Sequence, residues 1–158
     1  MIIKEEFYLT VPHEEAWKFL SNFPGPLQFV PGKLEIIELV QNKKYKGLAK
    51  ARVGPLVFTF SGAMTVILID HKTYQIHMKA EARDSFLRSG FVARVYTQTI
   101  PFDNNATRVT LNVSVGLNGL LGKLSSYILK PVVRRALSYY ETAVSEEIIR
   151  LRKREKGG

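Results

Sequence analysis

The chain has no cysteine, so neither a disulfide nor a thiolate metal site is open to it. That absence suits a reducing compartment, and a cytoplasmic protein is expected, peripheral at most to the inner face of a membrane. Histidines number three. His13 falls in a first helical turn, His71 in a turn and His77 on a wet strand face, and no acidic pair joins them. Neither a metal nor a cofactor is expected from such a set. Long apolar runs are missing as well. The longest, Ala63 to Ile69, is far short of the roughly 20 residues a membrane-crossing helix needs. The start, Met1-Ile2-Ile3-Lys4-Glu5-Glu6, turns charged too early for a signal peptide. Without repeats, linkers or low-complexity segments, residues 1–158 read as one domain, large enough to bury a core unaided. Acidic residues are few: 14 against 23 basic ones, a formal charge of +9. Such a field favours anionic partners or serves solubility alone.

What the chain does have is a long helical pattern at its end, from Gly119 to Lys156. Leu121, Leu124, Ile128 and Val132, then Val133, Leu137, Tyr140, Val144, Ile148 and Leu151, recur at three- and four-residue steps and form one stripe. The pattern predicts one long helix, or two end to end, with Pro131 either kinking it or opening its main part. Pro131 to Arg154 alone would span roughly 36 Å. Something must cover that stripe.

The segment before it reads as strands. Lys4 to Thr10 comes first, then a helix opening at Pro12 with Glu14 and Glu15 at its positive end, then a short helical turn around Leu27 to Val30. After Gly32 the period becomes two: Leu34–Val40, Lys44–Val53, Val57–Ile69, Thr73–Arg83, Leu87–Ile100 and Val109–Leu117, with turns at Gly54-Pro55, Asp70-His71-Lys72 and Asp103-Asn104-Asn105. Short connections between alternating strands mean an antiparallel sheet with one wet and one dry face. The fold class is α+β: a curved antiparallel sheet of about seven strands wrapped around the long C-terminal helix, with two short helices after the first strand.

The dry face carries small residues, Gly47, Ala49, Ala51, Gly62, Ala80, Ala82 and Ala93, among the larger Phe58, Phe60, Met64, Met78, Phe91, Val95 and Val113. Either the helix settles closely on the small ones, or a void remains that accepts apolar guests. Leu121, Leu124 and Ile128 would close such a void from the helix, and Tyr74, Thr97, Tyr127 and Tyr140 are its candidate polar handles. A guest burying ~300 Å² of apolar surface would gain about 7 kcal/mol before the costs of binding. No catalytic residue stands out, because the dry face offers almost no titratable group and no nucleophile with its base. The wet face is basic: Lys44, Lys46, Lys50, Arg52, Lys79, Arg83, Arg94 and Arg108, extended by the basic end of the helix over 149–158. An anionic membrane surface would meet it transiently. Nucleic acid is not expected, since Tyr96 is the one clear aromatic among those charges.

Several motifs carry a resemblance. Pro31-Gly32-Lys33, Val53-Gly54-Pro55-Leu56 with Phe60-Ser61-Gly62, Gly90-Phe91 and the Gly119-to-Leu124 helix opening are similar to those of the carbon monoxide dehydrogenase G-subunit family, within the START-like (SRPBCC) helix-grip superfamily. The likeness covers roughly residues 1–148. It implies a non-catalytic domain enclosing an apolar cavity. The family is associated with maturation or membrane recruitment of molybdenum-containing hydroxylases, and wider relatives bind lipids or quinones. Longer members carry a C-terminal extension toward the membrane; this sequence stops at Gly158, so a fixed attachment is not expected. The leading expectation is a carrier of an apolar lipid- or quinone-like ligand serving a redox enzyme. The alternatives are a START-like cyclase or dehydratase, and an assembly factor docking a protein through its basic sheet face. Oligomeric state stays open.

Overall fold

A computed structural model describes residues 1–157. β1 (Ile2–Leu9) leads into α1 (His13–Leu20) and a 3-10 segment (Gly25–Phe29). Next come β2 (Lys33–Val40), β3 (Lys44–Val53), β4 (Leu56–Asp70), β5 (Gln75–Asp84), β6 (Ser89–Asp103) and β7 (Ala106–Asn118). α2 (Gly119–Gly122) and α3 (Ser126–Gly157) close the chain. The strands form one antiparallel sheet of seven in the order β1-β7-β6-β5-β4-β3-β2.

Tight turns fix this order. Gly54, at φ +59°, and Pro55 alone separate β3 from β4. Asn104 and Asn105 alone separate β6 from β7, where the Asn105 N–H donates to Asp103 Oδ1 at 2.7 Å. Such short links leave only antiparallel neighbours. Alternation then sorts the faces: Thr107, Val109, Leu111 and Val113 of β7 are buried, Arg108 and Thr110 between them are half-buried, and Asn112 and Ser114 are exposed. Lys44, Lys46, Lys50, Arg52, Arg83 and Arg94 lie exposed on the outer side, with Lys79 and Arg108 half-buried.

The C-terminal pattern resolves into two helices with a break at 123–125. Pro131 neither opens nor ends α3 but sits inside its second turn. The N–H it lacks would have reached the carbonyl of Tyr127, a residue exposed to water. Gly119, at φ +63°, makes the entry to α2 possible, because a Cβ there would overlap the Arg88 carbonyl. The fully buried Ser89 secures the junction, its Oγ accepting from the Leu121 N–H at 3.2 Å. Pro12 precedes α1 as its cap rather than forming its first residue.

At the end of β5 a buried carboxylate ties two hairpins together. Leu87 N–H donates to Asp84 Oδ1 at 2.9 Å and Thr59 N–H donates to Oδ2 at 2.6 Å. Those two donors hold the carboxyl below the usual carboxylate range. A depressed folded pKa contributes stability that is present above the unfolded value, roughly pH 4, and is lost as pH falls through the folded one. Asp84→Asn turns an amide N–H₂ against one of the two donors. Its deficit in denaturation midpoint is expected to be constant above about pH 5 and to shrink below pH 4. Guanidinium melts of both proteins across that range check it.

Candidate ligand cavity

Between sheet and helix lies a cavity of about 390 Å³. Its floor is the dry face: Ala51 and Val53 of β3, Phe60 and Met64 of β4, Ile76 and Met78 of β5, then Phe91, Ala93, Val95 and Thr97 of β6, and Val109 to Leu117 at alternate positions of β7. Its roof is α3, through Leu129, Val132, Val133, Ala136, Leu137 and Tyr140. One end is closed by Leu20 of α1, Pro26 and Leu27 of the 3-10 segment, and Phe23 between the two. The volume is roughly two to three times the ~150 Å³ of an apolar cavity that holds one benzene.

α3 packs into the core through Leu137, Tyr140, Val144 and Ile148, and polar contacts tie it to the first part of the chain. Arg134 Nε lies 3.3 Å from Glu5 of β1, and Arg152 Nε 3.6 Å from Glu15 of α1. The Tyr140 hydroxyl donates to the Pro26 carbonyl at 3.0 Å. The floor residues Ala51 and Ala93 and the roof residue Ala136 are too small to fill the space between the two layers. The other small residues, Gly47, Ala49, Gly62, Ala80 and Ala82, line a separate recess of about 140 Å³ that shares Phe60, Met64 and Phe91 with the main cavity.

The wall carries no charged side chain, and its polar side chains are Thr97 and Tyr140. The Tyr140 ring is half-buried and borders the cavity. Its hydroxyl is deep, and burial pushes the phenol far above its ordinary range. It therefore stays a donor throughout ordinary pH. Tyr140→Phe would remove this hydrogen bond and cost about 1 kcal/mol of stability, with uptake of a hydrocarbon guest unchanged. Urea melts beside a binding titration check both halves.

Of the candidate residues, Phe60, Met64, Met78, Phe91, Val95, Val113, Leu121 and Tyr140 are brought to this wall. Phe58 is not: it is fully buried, stacked on Phe60 with centroids 5.5 Å apart, and packs with Val53, Leu121 and Leu129. Leu124 is half-buried in that same cluster, outside the lining. Tyr74 lies in the turn before β5 at φ +57°, which turns its ring away onto His13 (4.4 Å) and Trp17 (5.3 Å). Tyr127 is 88% exposed and Ile128 48%. The break at 123–125 restarts the helical phase, so the stripe of α2 does not run into α3 and Leu129 faces inward instead. Reading back from Tyr140 in steps of four, three and four (Ala136, Val133, Leu129) would have found it. The end wall from α1 and the 3-10 segment had no periodic signal to mark it.

The profile of the carbon monoxide dehydrogenase G-subunit (CoxG) family matches residues 6–149. The chain belongs to the CoxG family. No match was found among curated proteins. Among solved structures, this CoxG-family chain is similar to a conserved protein from Geobacillus kaustophilus, with TM-score 0.84, 17% identity, and 95% of this chain and 96% of that one covered. It is also similar to a START superfamily protein from Mycobacterium smegmatis (TM-score 0.71, 12% identity, 95% and 98% covered). A third is the ZhuI aromatase/cyclase from Streptomyces sp. R1128 (TM-score 0.65, 17% identity, 95% and 94% covered). The fold is thus the START-like helix-grip, as the motifs implied. Among the described residues no three His, Asp or Glu side chains gather as a metal-binding group, and no helix is long and apolar enough to cross a membrane.

Proposed function

We propose that this CoxG-family protein carries a neutral apolar molecule in the cavity beneath α3. One observation carries the reading: a space of about 390 Å³ beneath α3 whose lining side chains are apolar except for two hydroxyls. Burying that wall against a guest supplies the hydrophobic driving force directly. The family's name ties it to carbon monoxide dehydrogenase, and a redox enzyme of the molybdenum hydroxylase type is the partner we propose for it, in maturation or membrane recruitment. The basic outer face of the sheet would favour approach to an anionic membrane during loading. Catalysis in the cavity, of the kind the name of the ZhuI aromatase/cyclase gives for that protein, would need a proton-transfer group. The wall offers only Thr97 and a phenol held far above its usual pKa.

Native mass spectrometry of freshly purified protein tests the reading. An adduct of a few hundred daltons, lost on denaturation and extractable into organic solvent, is expected. Protein that shows only its bare mass, and takes up no added polycyclic hydrocarbon, would overturn the carrier.

A further inference from the structure

Two hydroxyls reach the cavity wall, and they are not in the same state. Tyr140 has given its hydrogen to the Pro26 carbonyl at 3.0 Å. Other buried hydroxyls nearby are also engaged: Thr99 Oγ1 pairs with His13 Nε2 at 2.8 Å, Thr107 donates to the Val11 carbonyl at 3.0 Å, and Ser89 donates to the Leu87 carbonyl at 3.3 Å. Thr97, 8% exposed, makes no side-chain hydrogen bond among the described residues. It is also absent from the fully sealed unpartnered atoms, which are those of Tyr45, Arg108 and Arg152. Its oxygen therefore opens onto space, and the space beside it is the cavity.

Its surroundings make the hydroxyl stand out. In register Thr97 opposes Ile76 of β5 and Leu111 of β7, and both of these line the cavity too. Val95, two residues earlier on the same face, shows what the floor otherwise uses. Valine has the shape of threonine and good strand propensity, and it leaves no polar group in an apolar wall. A hydroxyl without a partner is a cost to the empty protein, and a bound group that accepts its hydrogen removes that cost.

Resting on the carrier reading, we infer that Thr97 is the point at which the cavity recognises its ligand, and that the ligand is a neutral apolar molecule bearing a hydrogen-bond acceptor. The wall's other hydroxyl has already donated, so a ligand acceptor has one donor to meet. A neutral ligand suits this wall: no Lys, Arg or His side chain reaches it, and the one charged group on a lining residue, the Met1 ammonium, already donates to the Val115 carbonyl at 3.0 Å. The volume admits a fused tricycle.

Fluorene and 9-fluorenone share a skeleton and differ by one carbonyl, which makes them the probes. Calorimetric titration of wild type is expected to show both binding, fluorenone the tighter. Thr97→Val should weaken fluorenone roughly 2- to 10-fold and leave fluorene unchanged or slightly tighter. Thr97→Ser, which keeps the hydroxyl, should retain the preference and guards against a folding defect in the valine variant. If both probes bind and their affinity ratio is the same in wild type and Thr97→Val, the role of Thr97 is wrong while the carrier stands. If wild type binds neither, the carrier reading falls and this inference with it.

Discussion

Ala136→Trp is expected to reduce uptake of an apolar guest by two to three orders of magnitude while leaving the protein at least as stable as before. Ala136 sits on the face of α3 that roofs the cavity, above a floor that includes Ala51 and Ala93. An indole there would occupy at least the ~150 Å³ that a benzene-sized guest requires, leaving too little of the 390 Å³ for a tricycle. A guest that loses half of ~300 Å² of apolar contact forfeits about 3–4 kcal/mol, which is the stated loss in affinity. The new side chain meanwhile buries its own apolar surface in space already present, so overpacking is not the expected outcome. Titration with fluorene, alongside a thermal melt, reads both quantities. Undiminished binding would mean that guests enter somewhere else, and the 140 Å³ recess beneath Gly62 and Ala80 would be next to test.

Phe58→Ala is expected to give the largest loss of stability among the aromatic positions of the sheet. Its ring is fully buried, lies parallel to Phe60 with 3° between planes, and joins Val53, Leu121 and Leu129 at the junction of β3, β4, α2 and α3. Removing a buried phenyl costs about 3–5 kcal/mol, a large share of the 5–15 kcal/mol of a typical domain, and the midpoint should drop by about 10 °C. Phe60→Ala is the control. That ring borders a void already, so its removal enlarges a space rather than creating one, and the destabilisation should be smaller. Its effect should fall on ligand affinity instead. Comparing both variants by calorimetry and titration separates a ring that holds the end of the molecule together from one that meets the guest. Equal stability losses would show that the cavity floor bears more of the fold than its geometry indicates.

The contrast between these two phenylalanines marks how far sequence reading reaches. Both sit on the dry face by strict alternation, and Phe58 differs from Phe60 only in what lies above it. Alternation tells which side a residue faces and nothing about the distance to the opposite layer. Tyr74 and Tyr127 fail for another reason. One residue of left-handed backbone before β5, and a three-residue interruption before α3, each reset the phase on which their placement depended.

The chain alone determined the element order, the antiparallel pairing, the two faces of the sheet and the amphipathic closing helix. All of these follow from periods of two and 3.6 and from turn residues acting within a few positions of one another. The motifs at Val53-Gly54-Pro55 and Gly119 were also enough to point to the family. Only the tertiary structure decided that the small residues on the dry face leave two separate spaces, and that Leu129 rather than Ile128 looks inward. It alone showed that Tyr140 is committed to Pro26 while Thr97 is not. Those outcomes depend on how high α3 is held above the sheet. That height is a matter of contacts between residues far apart in the chain, the core packing of Val144 and Ile148 and the pairing of Tyr140 with Pro26 among them.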